Sequence, residues 1–100
     1  MINFQTYTLE NGVRVILAPS QTTEATAIQI LVGIGARFET KDKSGISHFL
    51  EHMFFKGSTK YPSFFEITSL LESLGAGWNA STGYEATKFY IHTSSKDFQK

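Results

Sequence analysis

Two runs rich in β-branched and aromatic residues, Phe4 to Leu9 and Val13 to Ala18, open the chain. Asn11-Gly12 stands between them, and Asn-Gly in that place is a strong hairpin signal. A type I′ turn needs φ > 0 at both central residues, so the pair predicts a hairpin of that kind. Pro19 closes the second strand. Thr26 to Val32 predicts a third strand, with the alternating Ile28, Ile30 and Val32 on one face. Gly33 and Gly35 loosen the backbone before a polar loop, Glu39 to Lys43.

The period then changes. Ile46, Phe49, Leu50, Met53 and Phe54 fall at i, i+3, i+4, i+7 and i+8, the pattern of a helix with one buried stripe. Ser44 is the expected N-cap and Gly57 the expected stop. Lys56 to Pro62 reads as a loop. Ser63-Phe64-Phe65-Glu66 reads as a capping box, with Phe64, Ile67, Leu70, Leu71 and Leu74 as the stripe of a second helix and Gly75 at its C′ position. Asn79-Ala80-Ser81-Thr82 is a short extended segment, Gly83 to Glu85 a turn, and Thr87 to Thr93 a strand. Ser94-Ser95-Lys96-Asp97 looks like the cap of a further helix. The order β-β-β-α-α-β-β predicts an α+β fold, an antiparallel-rich sheet with helices packed on one face. The unfinished last element makes residues 1–100 the expected N-terminal part of a larger domain, incomplete at its C-terminus.

Composition narrows the function classes. The chain has 100 residues, 41% hydrophobic, 14% aromatic and 18% charged, which is globular and not disordered. Nine Lys and Arg balance nine Asp and Glu, so no basic face points to nucleic acid. The apolar-rich stretch Ala25 to Phe38 is broken by Gln29, Gly33, Gly35 and Arg37, too often for a membrane span. Met1 to Thr6 carries no signal-peptide pattern, and a cytoplasmic location is the default expectation. With no Cys, thiolate metal sites are excluded and nitrogen and oxygen donors remain.

The chemistry lies in His48-Phe49-Leu50-Glu51-His52. On a helix, i, i+3 and i+4 share a face, so His48, Glu51 and His52 would point the same way, nearly opposite the apolar stripe. Two neutral imidazoles four residues apart can bind one Zn²⁺, and a carboxylate between them is placed to take a proton from an activated water. This H-x-x-E-H order is the mirror of H-E-x-x-H. The competing reading is the solvated face of an amphipathic helix. Two histidines and a glutamate on one face weigh against it, as does Phe55, a large aromatic on the same face that suits a cleft wall better than open water.

The string Gly45 to Ser58, preceded by Gly35-Ala36-Arg37-Phe38-Glu39, resembles the pitrilysin/insulinase family of zinc metallopeptidases, the inverzincins, whose fold is of the LuxS/MPP-like type. The likeness extends to Thr8 to Val15, similar to the family's N-terminal hairpin, and to Leu74-Gly75-Ala76 with Asn79 to Thr82. The resemblance implies that His48 and His52 are zinc ligands and that Glu51 is the general base. It implies that Asn79, Ala80, Ser81 and Thr82 form a sheet edge that holds an extended peptide, with Gly75-Ala76-Gly77 leaving room for its backbone. The family's third ligand, a Glu on a later helix, would lie beyond Lys100. Within the chain, Glu66 is explained by its capping box and Glu72 by the polar face of its helix. Glu85 is a turn carboxylate near the substrate strand, and His92 shares a strand face with Lys88 and Tyr90.

The expected function is therefore zinc-dependent endopeptidase, acting on a peptide or unfolded protein. The 100-residue chain alone would be inactive. Its expected partners are the remaining domains of the same chain or a homologous subunit. The rival is a non-catalytic homologous subunit, a binding or structural module; such relatives typically lose the zinc motif, which is intact here.

Overall fold

The computed structural model describes residues 3–99; Met1, Ile2 and Lys100, the ends of the 1–100 span read above, lie outside the described residues. Strands β1 (Gln5–Thr8) and β2 (Arg14–Leu17) pair antiparallel, with Gln5 opposite Leu17 and Thr8 opposite Arg14. The turn is not type I′. Gly12 has φ of 85°, but no non-glycine residue among those described, Asn11 included, has a positive φ. The Gly12 N–H donates to Leu9 C=O and the Leu9 N–H to Val13 C=O, so Glu10-Asn11-Gly12 closes as a three-residue loop with its left-handed residue at Gly12. Asn11 contributes its side chain instead, Oδ1 accepting from the Val13 N–H at 3.1 Å.

Strands β3 (Ala25–Val32), β4 (Gly77–Thr82) and β5 (Thr87–Ser94) form a separate antiparallel sheet in the order β3-β5-β4. The register sets Ile28 opposite Ile91, Ile30 opposite Phe89, Trp78 opposite Ile91 and Thr82 opposite Thr87. Period-two alternation therefore collects Ile28, Ile30, Val32, Phe89, Ile91, Trp78 and Ala80 on one face, as the alternation in β3 predicted. Helices α1 (Ile46–Met53) and α2 (Phe64–Ser73) both lie over that face. Leu70 and Leu71 of α2 and Leu74 at its C-cap line a cavity with Ile28 and Ile91, and the Thr93 hydroxyl donates to Leu74 C=O at 3.1 Å. The α+β architecture with helices on one face is thus observed. No helix of the described residues is long and apolar enough to cross a membrane.

Several expected boundaries change. The segment before α1 contains two single 3-10 turns, Ala36–Phe38 ahead of the polar loop and Lys41–Lys43 within it. The expected helix after Ser94 is one 3-10 turn, Ser95–Asp97, capped by the Ser94 hydroxyl. Helix α1 ends at Met53, short of Gly57.

A further difference concerns which side of α1 the sheet meets. Its apolar stripe is uncovered among the described residues: Phe49 is 63% and Phe54 67% accessible, and Ile46, Leu50 and Met53 are also open. Among the described residues no apolar side chain is fully buried. The sector that turns inward holds Ser47 and Glu51, both buried. Periodicity identifies a stripe but carries no information about what covers it; among the described residues the sheet meets mainly the opposite side, with Phe54 of the stripe also reaching Phe89.

Candidate functional site

Helix α1 is held by what precedes and follows it. Its N-cap is Gly45, not Ser44, with φ of 89° in the left-handed region that disfavours a side chain, and no cap bond comes from the neighbouring side chains. The orphan N–H groups are met from a distance. Glu39 Oε2 accepts from Gly45 N–H at 2.6 Å and Oε1 accepts from Ser47 N–H at 2.9 Å. These backbone donors, Gly45 first and then Ser47, hold the Glu39 carboxyl below its ordinary value.

The segment carrying Glu39 is itself pinned to the β4–β5 turn. Ala36 N–H donates to Gly83 C=O and Arg37 N–H to Tyr84 C=O. Gly35 is buried where a Cβ would come within 2.4 Å of Gly83 O and 2.8 Å of Tyr84 O, so only glycine permits this approach. Arg37 forms an ion pair with Glu85, both side chains largely exposed. Glu85 is thus a solvated turn carboxylate that also reaches across to the pre-helix segment.

At the far end of α1 the contacts are aromatic. The Phe55 ring lies 4.9 Å from that of Trp78 on β4, and the Phe54 ring 4.8 Å from that of Phe89 on β5. Phe55 is half-buried, in keeping with its expected place against a wall of the site.

Between these anchors stand the three residues of the motif. His48 and His52 bring their Nε2 atoms to 3.0 Å, with ring centroids 4.6 Å apart. Two nitrogens each about 2.0–2.1 Å from one tetrahedral zinc would be roughly 3.3 Å apart, so the pair fits a shared ion with a small rotation. Both imidazoles are exposed. Glu51 differs: it is 8% accessible, and its Oε2 accepts a hydrogen bond from Thr82 Oγ1 at 2.5 Å. The single face expected for all three residues is therefore split, the carboxylate turned to the sheet and the imidazoles to solvent. No group of three or more His, Asp or Glu able to hold a metal occurs among the described residues. Glu66, Glu72, Glu85 and His92 do not join the pair.

Asn79, Ala80, Ser81 and Thr82 lie in β4, which is an edge strand of its sheet among the described residues. The Ala80 N–H is met by its neighbour's side chain, Asn79 Oδ1, at 2.8 Å. The room expected at Gly77 is taken: a Cβ there would lie 2.1 Å from His92 Nε2, because the imidazole covers its cross-strand glycine.

Sequence reasoning missed Glu39, Gly35 and the Thr82–Glu51 bond. Each is a contact between segments far apart in the chain or outside any local capping rule. The G-A-R-F-E string was visible, but nothing local says that its Glu caps a helix beginning seven residues later.

The family model described as Insulinase (Peptidase family M16) matches residues 14–100. The chain is 46% identical over 84 residues to the uncharacterized zinc protease YmxG of Bacillus subtilis (strain 168), covering 84% of this chain and 20% of that protein. It is 39% identical over 93 residues to human cytochrome b-c1 complex subunit 1, mitochondrial, covering 92% and 19%. The crystal structure of a protease from Helicobacter pylori matches with a TM-score of 0.90 at 32% identity, covering 97% of this chain and 23% of that one. The chain spans about a fifth of the length of the relatives it matches.

Proposed function

The chain belongs to the insulinase family of peptidases, peptidase family M16, and on that premise we propose that the protein carrying it is a zinc-dependent endopeptidase. In this reading His48 and His52 hold the metal and Glu51 is the general base. The observation that carries it is the convergence of the two Nε2 atoms, one helical turn apart, with the intervening carboxylate lodged between helix and edge strand. A relative named as a zinc protease supports the choice of metal. Catalytic zinc sites use three protein ligands. We assign the third to a Glu on a helix beyond Lys100, since the described residues supply only two.

When bound, zinc supplies a Lewis acid that polarises a carbonyl and acidifies water to near neutrality. The rest is done by the chain. His48 and His52 orient the donor pair from the rigid turn of α1. Glu51 takes the proton of the attacking water and passes it to the leaving amine. The edge of β4 receives an extended peptide as an added strand, by main-chain hydrogen bonds that give affinity with little sequence preference. There the Asn79 side chain covers the Ala80 N–H until a substrate carbonyl replaces it. Peptide or unfolded protein is the substrate class, and the remaining domains or a homologous subunit complete the site.

The test uses the full-length protein. His48→Ala or His52→Ala should remove zinc and hydrolysis together. Glu51→Gln should keep zinc stoichiometric and lower kcat by about 10²–10⁴-fold, the usual worth of a general base. Near-wild-type cleavage by Glu51→Gln would exclude it as the base. For the edge strand, Ala80→Pro removes one N–H and should raise KM or lower kcat/KM with zinc unchanged; unaltered kinetics would remove β4 from substrate binding. The second reading, a non-catalytic subunit, is favoured by the human relative named as a subunit of a complex. Full-length protein that purifies without zinc and cleaves nothing would select it.

A further inference from the structure

We propose that Thr82 is a positioning residue whose hydroxyl sets the orientation of the Glu51 carboxylate, an inference that rests on Glu51 being the base. A glutamate has three rotatable bonds, and ordering them costs free energy that some contact must offset. A base must also lie within hydrogen-bond reach of the proton it takes. Thr82 meets both needs. Its Oγ1 donates to Glu51 Oε2 at 2.5 Å, the length of a hydroxyl bond to a carboxylate. Glu51 Oε1 has no protein partner among the described residues. One oxygen is held and the other stays available for a proton.

The hydroxyl is itself well placed. Thr82 is the last residue of β4 and pairs with Thr87, whose side chain is buried and donates to Ile34 C=O at 2.9 Å. Trp78 and Ala80 share the helix-facing side of the strand with Thr82, and Trp78 carries the Phe55 contact. β-branching restricts χ1, so a strand held at this point aims the hydroxyl in one direction. The same strand whose edge would take the peptide thus also aims the base, and a shift of β4 would move both together.

The experiment compares Thr82→Val and Thr82→Ser in the full-length enzyme, with zinc content, kcat and KM measured separately. Valine keeps the branched shape and the strand preference and deletes the hydroxyl. Thr82→Val should bind zinc stoichiometrically, keep KM and lower kcat by about 10- to 100-fold, the worth of one hydrogen bond to a charged group. Thr82→Ser should recover most of the loss. In the Glu51→Gln background Thr82→Val should have almost no further effect, because the hydroxyl acts through the carboxylate. A crystal structure of metal-free Thr82→Val should show the Glu51 side chain in another rotamer. Unchanged kcat in Thr82→Val, equal damage in Thr82→Ser, a change confined to KM, or an unmoved Glu51 rotamer would each overturn the proposal. Full activity in Glu51→Gln alone would instead overturn the reading of the base.

Discussion

Helix α2 is capped by its own neighbours, whereas α1 is capped by a carboxylate that lies six residues before Gly45. In α2, Ser63 Oγ accepts from the Glu66 N–H at 3.2 Å; of the expected capping box, this half is the one observed. At its other end Gly75 N–H donates to Glu72 C=O and Ala76 N–H to Leu71 C=O, the paired bonds of a Schellman motif. Its leucines face the sheet. Helix α1 has a left-handed glycine at its N-cap, a borrowed cap, a polar sector against the sheet and an apolar stripe uncovered among the described residues. Local rules hold in the helix that supports the fold and give way in the helix that carries the candidate chemistry. A site needs side chains placed against groups from other segments, and satisfying that geometry overrides local preference.

The comparison breaks most sharply at Glu39. Glu39→Gln removes the charge that holds two N–H groups of α1 and should loosen the seat of His48, Glu51 and His52. A misplacement of about 1 Å in a catalytic group can cost on the order of 100-fold, so kcat/KM should fall roughly tenfold or more, with weaker zinc retention. A variant with unchanged kinetics and zinc would show that α1 is seated without its distant cap. The same residue predicts an acid limb. Its folded pKa lies below the ordinary 4.5, so its contribution to stability is complete above that value and is lost as pH falls through the lower, folded one. Thermal melts of wild type should lose stability below pH 4.5, and Glu39→Gln should lose less there. Some slope will remain, because Asp42 is also held low, by the Thr40 side chain and then by its own backbone N–H.

The smaller effect belongs to α2. Ser63→Ala deletes one local cap bond and should cost about 1 kcal/mol of stability. Zinc content and peptide kinetics should stay at wild-type values, since α2 contributes no residue to the motif. A loss of activity as large as that of Glu39→Gln would mean that the two helices are not separable in this way.

The sequence by itself determined the elements and the chemistry of the motif. Hairpin, strands, both helices and their order follow from hydrophobic period, Asn-Gly, Ser63 and Gly75, all of which act over a few residues. The i, i+4 spacing of His48 and His52 alone dictates that their imidazoles can converge. Tertiary structure decided what lies between segments. It set the turn type at Asn11-Gly12, because register and loop length had to agree. It chose the inward side of α1, because Glu39, Thr82 and Trp78 all grip that side. It made Gly35 obligatory through carbonyls 48 and 49 positions later, those of Gly83 and Tyr84. It also joined base and edge strand in one bond across 31 residues. Those contacts are set by distances in space, and a pattern of spacing along the chain does not contain them.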